Sequence, residues 1–252
     1  MHVALKIEYD GKRYSGFQFQ PNAHTIQEEI EQSILLFTQH KTSIIGAGRT
    51  DAGVHAKGQI VSFHIDSKYS LQTITNALNF HLPNDISVKY AKKVSAEFNP
   101  RRDATSREYV YKILNSLTRS PIISNFSYHS SEKLKMDLME ESITKFKGIH
   151  DFKLFSGTLE DPDASTVRQI YNATIIKTSD IIEIRIEGSS FLPRQVRRMA
   201  GAILDLGRSK LTISQFEQLI EAKKTSATAH ALPAKGLCLD EVKYKNTPYW
   251  DN

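Results

Sequence analysis

The sequence predicts an α+β fold of two pseudo-symmetric halves, each in the order βαββαβ, the split βαβ or ferredoxin-like arrangement with a mostly antiparallel sheet. Three observations predict it. Alternations of strand period recur between segments of helical period, the same order of elements returns after residue 105, and no Gly/Ser-rich or low-complexity linker separates the halves. The halves are expected at residues 1–104 and 105–252, alike in element order but not in sequence, with a central cleft where they meet.

In the first half, Val3, Leu5, Ile7 and Tyr9 alternate with polar partners, the pattern of a half-buried strand. Thr25 and Glu28 form a capping-box pattern, and Ile26, Ile30, Ile34 and Phe37 then mark one face of a helix. Strands are expected at 42–47 and 59–66, on either side of a GRTDAG loop. Ser70 opens a second helix with Leu71, Ile74, Leu78 and His81 on one side, Pro83 stops it, and a strand at 86–94 completes the unit.

In the second half, a strand at 107–115 precedes a helix at about 131–147, with Gly148 in the place of a C-terminal cap. Strands at 167–177 and 181–188 read as a hairpin turning at Thr178, Ser179 and Asp180. A helix at 193–207, a shorter one opened by the Thr212 to Gln215 capping pattern and a strand at 236–243 finish the chain.

Composition excludes several classes of function. The N-terminal MHVALKIEYD alternates apolar and charged residues where a signal peptide would be continuously apolar, and no apolar stretch approaches a membrane span, so a cytoplasmic chain is expected. The single cysteine, Cys238, permits no intrachain disulfide and no cysteine metal cluster, and the nine histidines show no HExxH spacing, so no metal is expected. Lys and Arg total 33 against 28 Asp and Glu, a net charge of +5 that biases the chain toward a polyanionic partner.

The run GAGRTDAGVHA at 46–56 concentrates the chemistry. It is not a Walker loop, because no Lys-Ser or Lys-Thr follows the last glycine. Nor is it a dinucleotide fingerprint: Gly46, Gly48 and Gly53 are wrongly spaced, and a strand follows where a phosphate-binding helix should start. Two readings of Asp51 remain, a turn-capping carboxylate beside glycine or the centre of a site in which Arg49 and His55 manage charge.

GAGRTDAGVHA resembles the signature of the TruA family of tRNA pseudouridine synthases. YDGKRYSGFQFQPNAHTIQEEIE, NFHLPNDISV, FNPRRDATSREYVYKI, FLPRQVRRMAGAIL and LPAKGLCLDEVKY resemble further family blocks in the same order, over nearly the whole chain. Phe17 stands where the family usually has tryptophan, Asn99 and Pro100 replace a more usual His-Ala, and 154–165 is atypical.

The resemblance implies two RNA-recognition-like halves and isomerisation of uridine to pseudouridine at tRNA positions 38 to 40 in the anticodon stem-loop, with base flipping, no cofactor and a homodimeric enzyme. It implies that Asp51 is the essential aspartate, acting as nucleophile or as base, that Arg197 pairs with it, and that Tyr109 stacks on the target uracil and helps to move the proton from C5. Arg49 is similar to the arginine that assists base flipping, and His55 is a further substrate-binding candidate or a backbone hydrogen-bonder. Without the resemblance, Tyr109 reads as core in preference to a functional residue, on one strand face with Tyr111 and Ile113.

Arg101, Arg102 and Arg107 precede Tyr109, and Arg194, Arg197 and Arg198 cluster in the late helix, two groups expected to hold the RNA backbone. Helical spacing puts Arg197 at the edge of a stripe of Val196, Met199, Ala200, Ile203 and Gly207, and sends Arg198 to the opposite side to meet only solvent or phosphate. A catalytically inactive tRNA-binding module and a nucleotide-dependent enzyme are the competing readings. Asp51, Tyr109 and Arg197 together favour the enzyme.

Overall fold

A computed structural model describes residues 1–66, 68–223 and 226–245. In chain order the regular elements are β1 (His2–Tyr9), α1 (Ile26–Thr38), β2 (Ile45–Gly46), β3 (His55–His64), α2 (Leu71–His81), β4 (Ile86–Lys93), β5 (Ala104–Asn115) and β6 (Tyr128–Ser130). There follow α3 (Met136–Ile143), β7 (Gly148–Asp151), β8 (Val167–Thr178), β9 (Ile181–Gly188), α4 (Gln195–Gly207), α5 (Ile213–Ile220) and β10 (Leu237–Tyr244). The chain divides into one compact unit of 1–105 with 239–252, and a second of 106–238.

The first unit runs β1-α1-β2-β3-α2-β4, and its strands lie in the order β4-β1-β3-β10, with β2 on β3. β1 is antiparallel to both β3 and β4; Val3, Leu5 and Ile7 on one of its faces are buried, as are Ile30 and Ile34 of α1 and Ile74 and Leu78 of α2. Both helices start as their cap residues dictate. Thr25 accepts from Glu28 N and Ser70 from Thr73 N, each satisfying an otherwise orphaned amide. The expected strand at 42–47 shrinks to β2 because Ile44 N turns aside to Glu31 Oε1 at 3.0 Å. β3 starts earlier than the alternation suggested, since Ala56 already pairs with Tyr9.

The second unit orders its strands β5-β9-β8-β7, all antiparallel, with the short β6 parallel to β5. Ile182, Ile184 and Ile186 of β9, Tyr111 and Ile113 of β5, Met139 and Ile143 of α3, and Met199 and Ile203 of α4 are all buried and belong to the core of this unit. The hairpin of β8 and β9 turns as expected, with Ser179 in the left-handed region at φ 53°. The helix anticipated over 131–147 is α3 alone, followed by a 3-10 turn. Residues 131–135 stay out because Asn115 Nδ2 takes the Ser130 and Glu132 carbonyls at 2.9 Å and Lys135 N takes the Gly207 carbonyl. Gly148 opens β7 where a helix cap was expected, and β6 and β7 have no separate signal in the alternation. The closing strand expected at 236–243 forms as β10, but from Leu239 onward it belongs to the first unit, where Leu239 and Val242 are buried.

Candidate active site

In the first unit, the loop from Gly46 to Val54 is clamped from several directions. Ala47 N donates to Ile60 O at 2.8 Å, and the buried Gln59 side chain donates Nε2 to Gly48 O at 2.8 Å. The end of β1 and the segment after it provide further anchors: Phe17 N donates to Thr50 O, Gly53 N to Tyr14 O, and the Tyr9 phenol meets Thr50 Oγ1 at 2.8 Å.

Asp51 is half-buried at the head of a turn closed by Val54 N on its own carbonyl at 3.1 Å. Gly53 holds the third position of that turn at φ 77°, which a side chain would strain. Gly16 lies against the same loop at φ 106°, and a Cβ there would come within 2.8 Å of Thr50 O. The glycines of both segments thus let two stretches of main chain approach and present one carboxylate.

The His55 ring is buried under the loop, with Nδ1 3.2 Å from Gly11 N and 3.0 Å from Asp10 Oδ1. That is the position of a backbone hydrogen-bonder, one of the two readings its sequence context allowed. Arg49 is exposed. Beside the loop, Asp85 accepts from the Tyr14 phenol at 2.6 Å and from Arg13 Nη2 at 2.6 Å. Burial and the Asp85 carboxylate hold the Tyr14 phenol well above its ordinary value, so it remains a neutral donor.

In the second unit, Tyr109 lies on β5 opposite Ile186 of β9, 8% exposed, with its ring edge-on to Phe191 at 5.3 Å. Arg197, on the first turn of α4, donates Nε to Leu232 O at 2.7 Å. Tyr111, two residues from Tyr109, donates to Pro233 O at 2.9 Å, and burial raises its phenol while the nearby Arg197 charge lowers it. The segment from Ala229 to Pro233 is therefore tied to α4 and β5 together.

The other arginines divide by environment. Arg101, Arg102 and Arg194 are exposed. The first two leave a tight turn in which Asn99 Oδ1 accepts both of their amides at 3.0 Å, so the asparagine that departs from the family pattern shapes this turn. Arg194 caps α4 in the left-handed region at φ 59°, a conformation that costs about 1–2 kcal/mol for a non-glycine residue, and Gly157 N braces the preceding Pro193 O at 2.7 Å. Arg107 is buried and donates Nη1 to Ser189 O at 2.8 Å. Arg198 corrects the helical-wheel expectation: it is half-buried and donates Nη1 to Ala229 O at 2.6 Å, because the 229–233 segment crosses the face that helix geometry alone assigns to solvent.

Tyr9, Gln59, Phe191 and Tyr111 were not singled out from sequence as anchors of these groups. Tyr9 and Tyr111 carried a signal, since a phenol on the inward face of a strand demands a buried partner. Phe191 and Gln59 carried none, because their partners are set by strand register and by the loop path. Among the described residues, no group of three or more His, Cys, Asp or Glu side chains is placed to hold a metal ion, and no helix is long and apolar enough to cross a membrane.

A half-buried carboxylate presented on a braced turn, as Asp51 is in the first unit, suits acid-base or nucleophilic work. The family described as tRNA pseudouridine synthase matches residues 6–101 and 143–245. Proteins named tRNA pseudouridine synthase A are similar over almost their full length: that of Geotalea daltonii is 38% identical over 96% of this chain and 99% of its own, and that of Borrelia turicatae 39% identical over the same shares. The protein of that name from Clostridium acetobutylicum is 37% identical, again over 96% and 99%. The chain belongs to the tRNA pseudouridine synthase family.

Proposed function

We propose that this isomerase converts uridine to pseudouridine at positions 38, 39 and 40 of the tRNA anticodon stem-loop, with Asp51 as its catalytic carboxylate and without a cofactor. The bond from ribose C1′ to uracil N1 breaks, the base turns, and a bond from C1′ to C5 forms; the C5 proton leaves and N1 gains one. Nothing is oxidised or reduced. The target base leaves its stack before reaction, because neither C1′ nor C5 is accessible within a stacked loop.

The observation that carries this reading is the presentation of Asp51, half-buried at the head of a turn that main-chain bonds from Tyr14 and Phe17 hold in place. Tyr109 is assigned to stacking on the uracil, Arg197 to the counter-charge of the carboxylate, and Arg49 to base flipping, each by its match to a family block. The exposed Arg101, Arg102 and Arg194 suit contacts with phosphates. His55, Arg107 and Arg198 spend hydrogen bonds on protein groups, which supports a share in shaping the site. The enzyme acts as a cytoplasmic homodimer in this reading, by family resemblance.

The test is incubation of the purified chain with unmodified tRNA and no added cofactor, followed by mapping of pseudouridine along the RNA. Pseudouridine at 38–40 is the expected result. Binding of tRNA without any pseudouridine would leave a tRNA-binding module, and modification confined to another arm would overturn the anticodon assignment.

A further inference from the structure

Thr50, the residue before Asp51, is held at two points. Its carbonyl accepts Phe17 N at 3.1 Å, and its hydroxyl lies 2.8 Å from the Tyr9 phenol, with both side chains buried. Tyr9 is the last residue of β1, and its main chain is registered against Ala56 of β3 on one side and Ile86 of β4 on the other. The phenol is therefore a fixed point of the sheet, and the bond connects the sheet to the residue whose backbone dihedrals set the direction of Asp51. A buried hydroxyl pair of this kind stays strong because water does not compete for it.

We propose that Tyr9 and Thr50 are a positioning pair for Asp51: their hydroxyl bond fixes the main chain that presents the carboxylate, and so acts on the rate of the chemical step and not on tRNA binding. The proposal rests on the reading of Asp51 as the catalytic carboxylate. Loss of the bond does not remove the loop, since Gly53 N on Tyr14 O and Gln59 on Gly48 O still clamp it, and the Tyr9 ring keeps its place beside Phe17 at 6.5 Å. What it removes is a short, buried restraint on the residue next to Asp51, and catalytic groups lose much of their effect when displaced by a fraction of an ångström.

The experiment uses full-length Tyr9→Phe, Thr50→Val, their double variant and Thr50→Ser. Each is compared for single-turnover pseudouridine formation on unmodified tRNA at excess enzyme, for tRNA affinity and for melting temperature. Tyr9→Phe and Thr50→Val are each expected to slow the single-turnover step by roughly 10- to 100-fold with tRNA affinity unchanged. The double variant should fall no further than the slower single one, because both remove the same bond, and Thr50→Ser should recover most of the rate lost in Thr50→Val. Single variants with the parental rate overturn the proposal, as does a lower melting temperature or weaker tRNA binding as the only change. Asp51→Asn runs alongside. If it retains turnover, the reading of Asp51 fails and the pair fails with it; if it is inactive while Tyr9→Phe is fully active, only the positioning role is lost.

Discussion

Arg197 and Leu232 hold each other twice: Arg197 Nε donates to the Leu232 carbonyl at 2.7 Å, and Leu232 N donates to the Arg197 carbonyl at 3.2 Å. The segment from Ala229 to Pro233 thereby sets the guanidinium, and it lies close on α4 because Gly201 has no side chain. A Cβ there would stand 2.2 Å from the His230 carbonyl. Gly201→Ala should therefore destabilise the protein by about 1–3 kcal/mol, although alanine in a helix interior would otherwise gain up to about 1 kcal/mol. Urea unfolding checks the sign. Turnover should fall with it as Arg197 shifts, and a more stable Gly201→Ala protein would show that the segment does not press on the helix.

Arg198 and Arg194 should respond differently to truncation. Arg198→Ala leaves the Ala229 carbonyl without its bond, and should cost about 0.5–1.5 kcal/mol of stability with little change in the salt dependence of tRNA binding. Arg194→Ala removes an exposed cation and should lower the salt slope by up to about one. Titration of tRNA affinity across a salt series separates the two, and the reverse pattern would transfer the phosphate contact to Arg198.

Tyr109→Phe keeps the ring that meets Phe191 and should keep both fold and tRNA affinity. Tyr109→Ala should lose roughly 1–3 kcal/mol of affinity if the ring stacks on a base. Turnover lost in the Phe variant, with affinity intact, identifies the phenolic oxygen as a proton carrier. Near-parental kinetics in both would return Tyr109 to the core.

Acid stability should depend on Glu183, which bridges β9 and β5 by accepting from Arg185 at 2.6 Å and Lys112 at 3.1 Å. Burial pushes this carboxyl up, but the bonds from Arg185 and Lys112 outweigh it and hold the group below its ordinary value of 4.5. A carboxyl depressed in the folded state contributes stability that is present above the unfolded value and is lost as pH falls through the folded one. Glu183→Gln should thus lower the melting temperature near neutral pH and flatten its decline below pH 4.5. An equally steep acid decline in the variant would place the responsible carboxyl elsewhere.

Caps and periodicities were legible in the sequence because their physics is local. Thr25, Ser70 and the Thr212–Gln215 box each close on an amide three residues away, and all three helices begin where those residues stand. The α+β class followed from the spacing of apolar residues, and the family from motifs that run along the chain. Residues 131–135 misled because the bonds that hold them extended come from Asn115 and Gly207, far away in sequence. Arg194 misled because a left-handed arginine at a helix start has no local signature, and α4 begins two residues later than Pro193 suggested.

The residues proposed for the chemistry, Asp51 between glycines, Tyr109 on a strand and Arg197 on a helix, stand out in one dimension by family motif. The atoms that brace them do not. Tyr9 meets Thr50 across 41 residues, Tyr111 meets Pro233 across 122 and Arg198 meets Ala229 across 31. Each of these bonds exists only once strands are in register and a distant segment has been laid over a helix face, and no rule linking neighbours three or four residues apart specifies that placement.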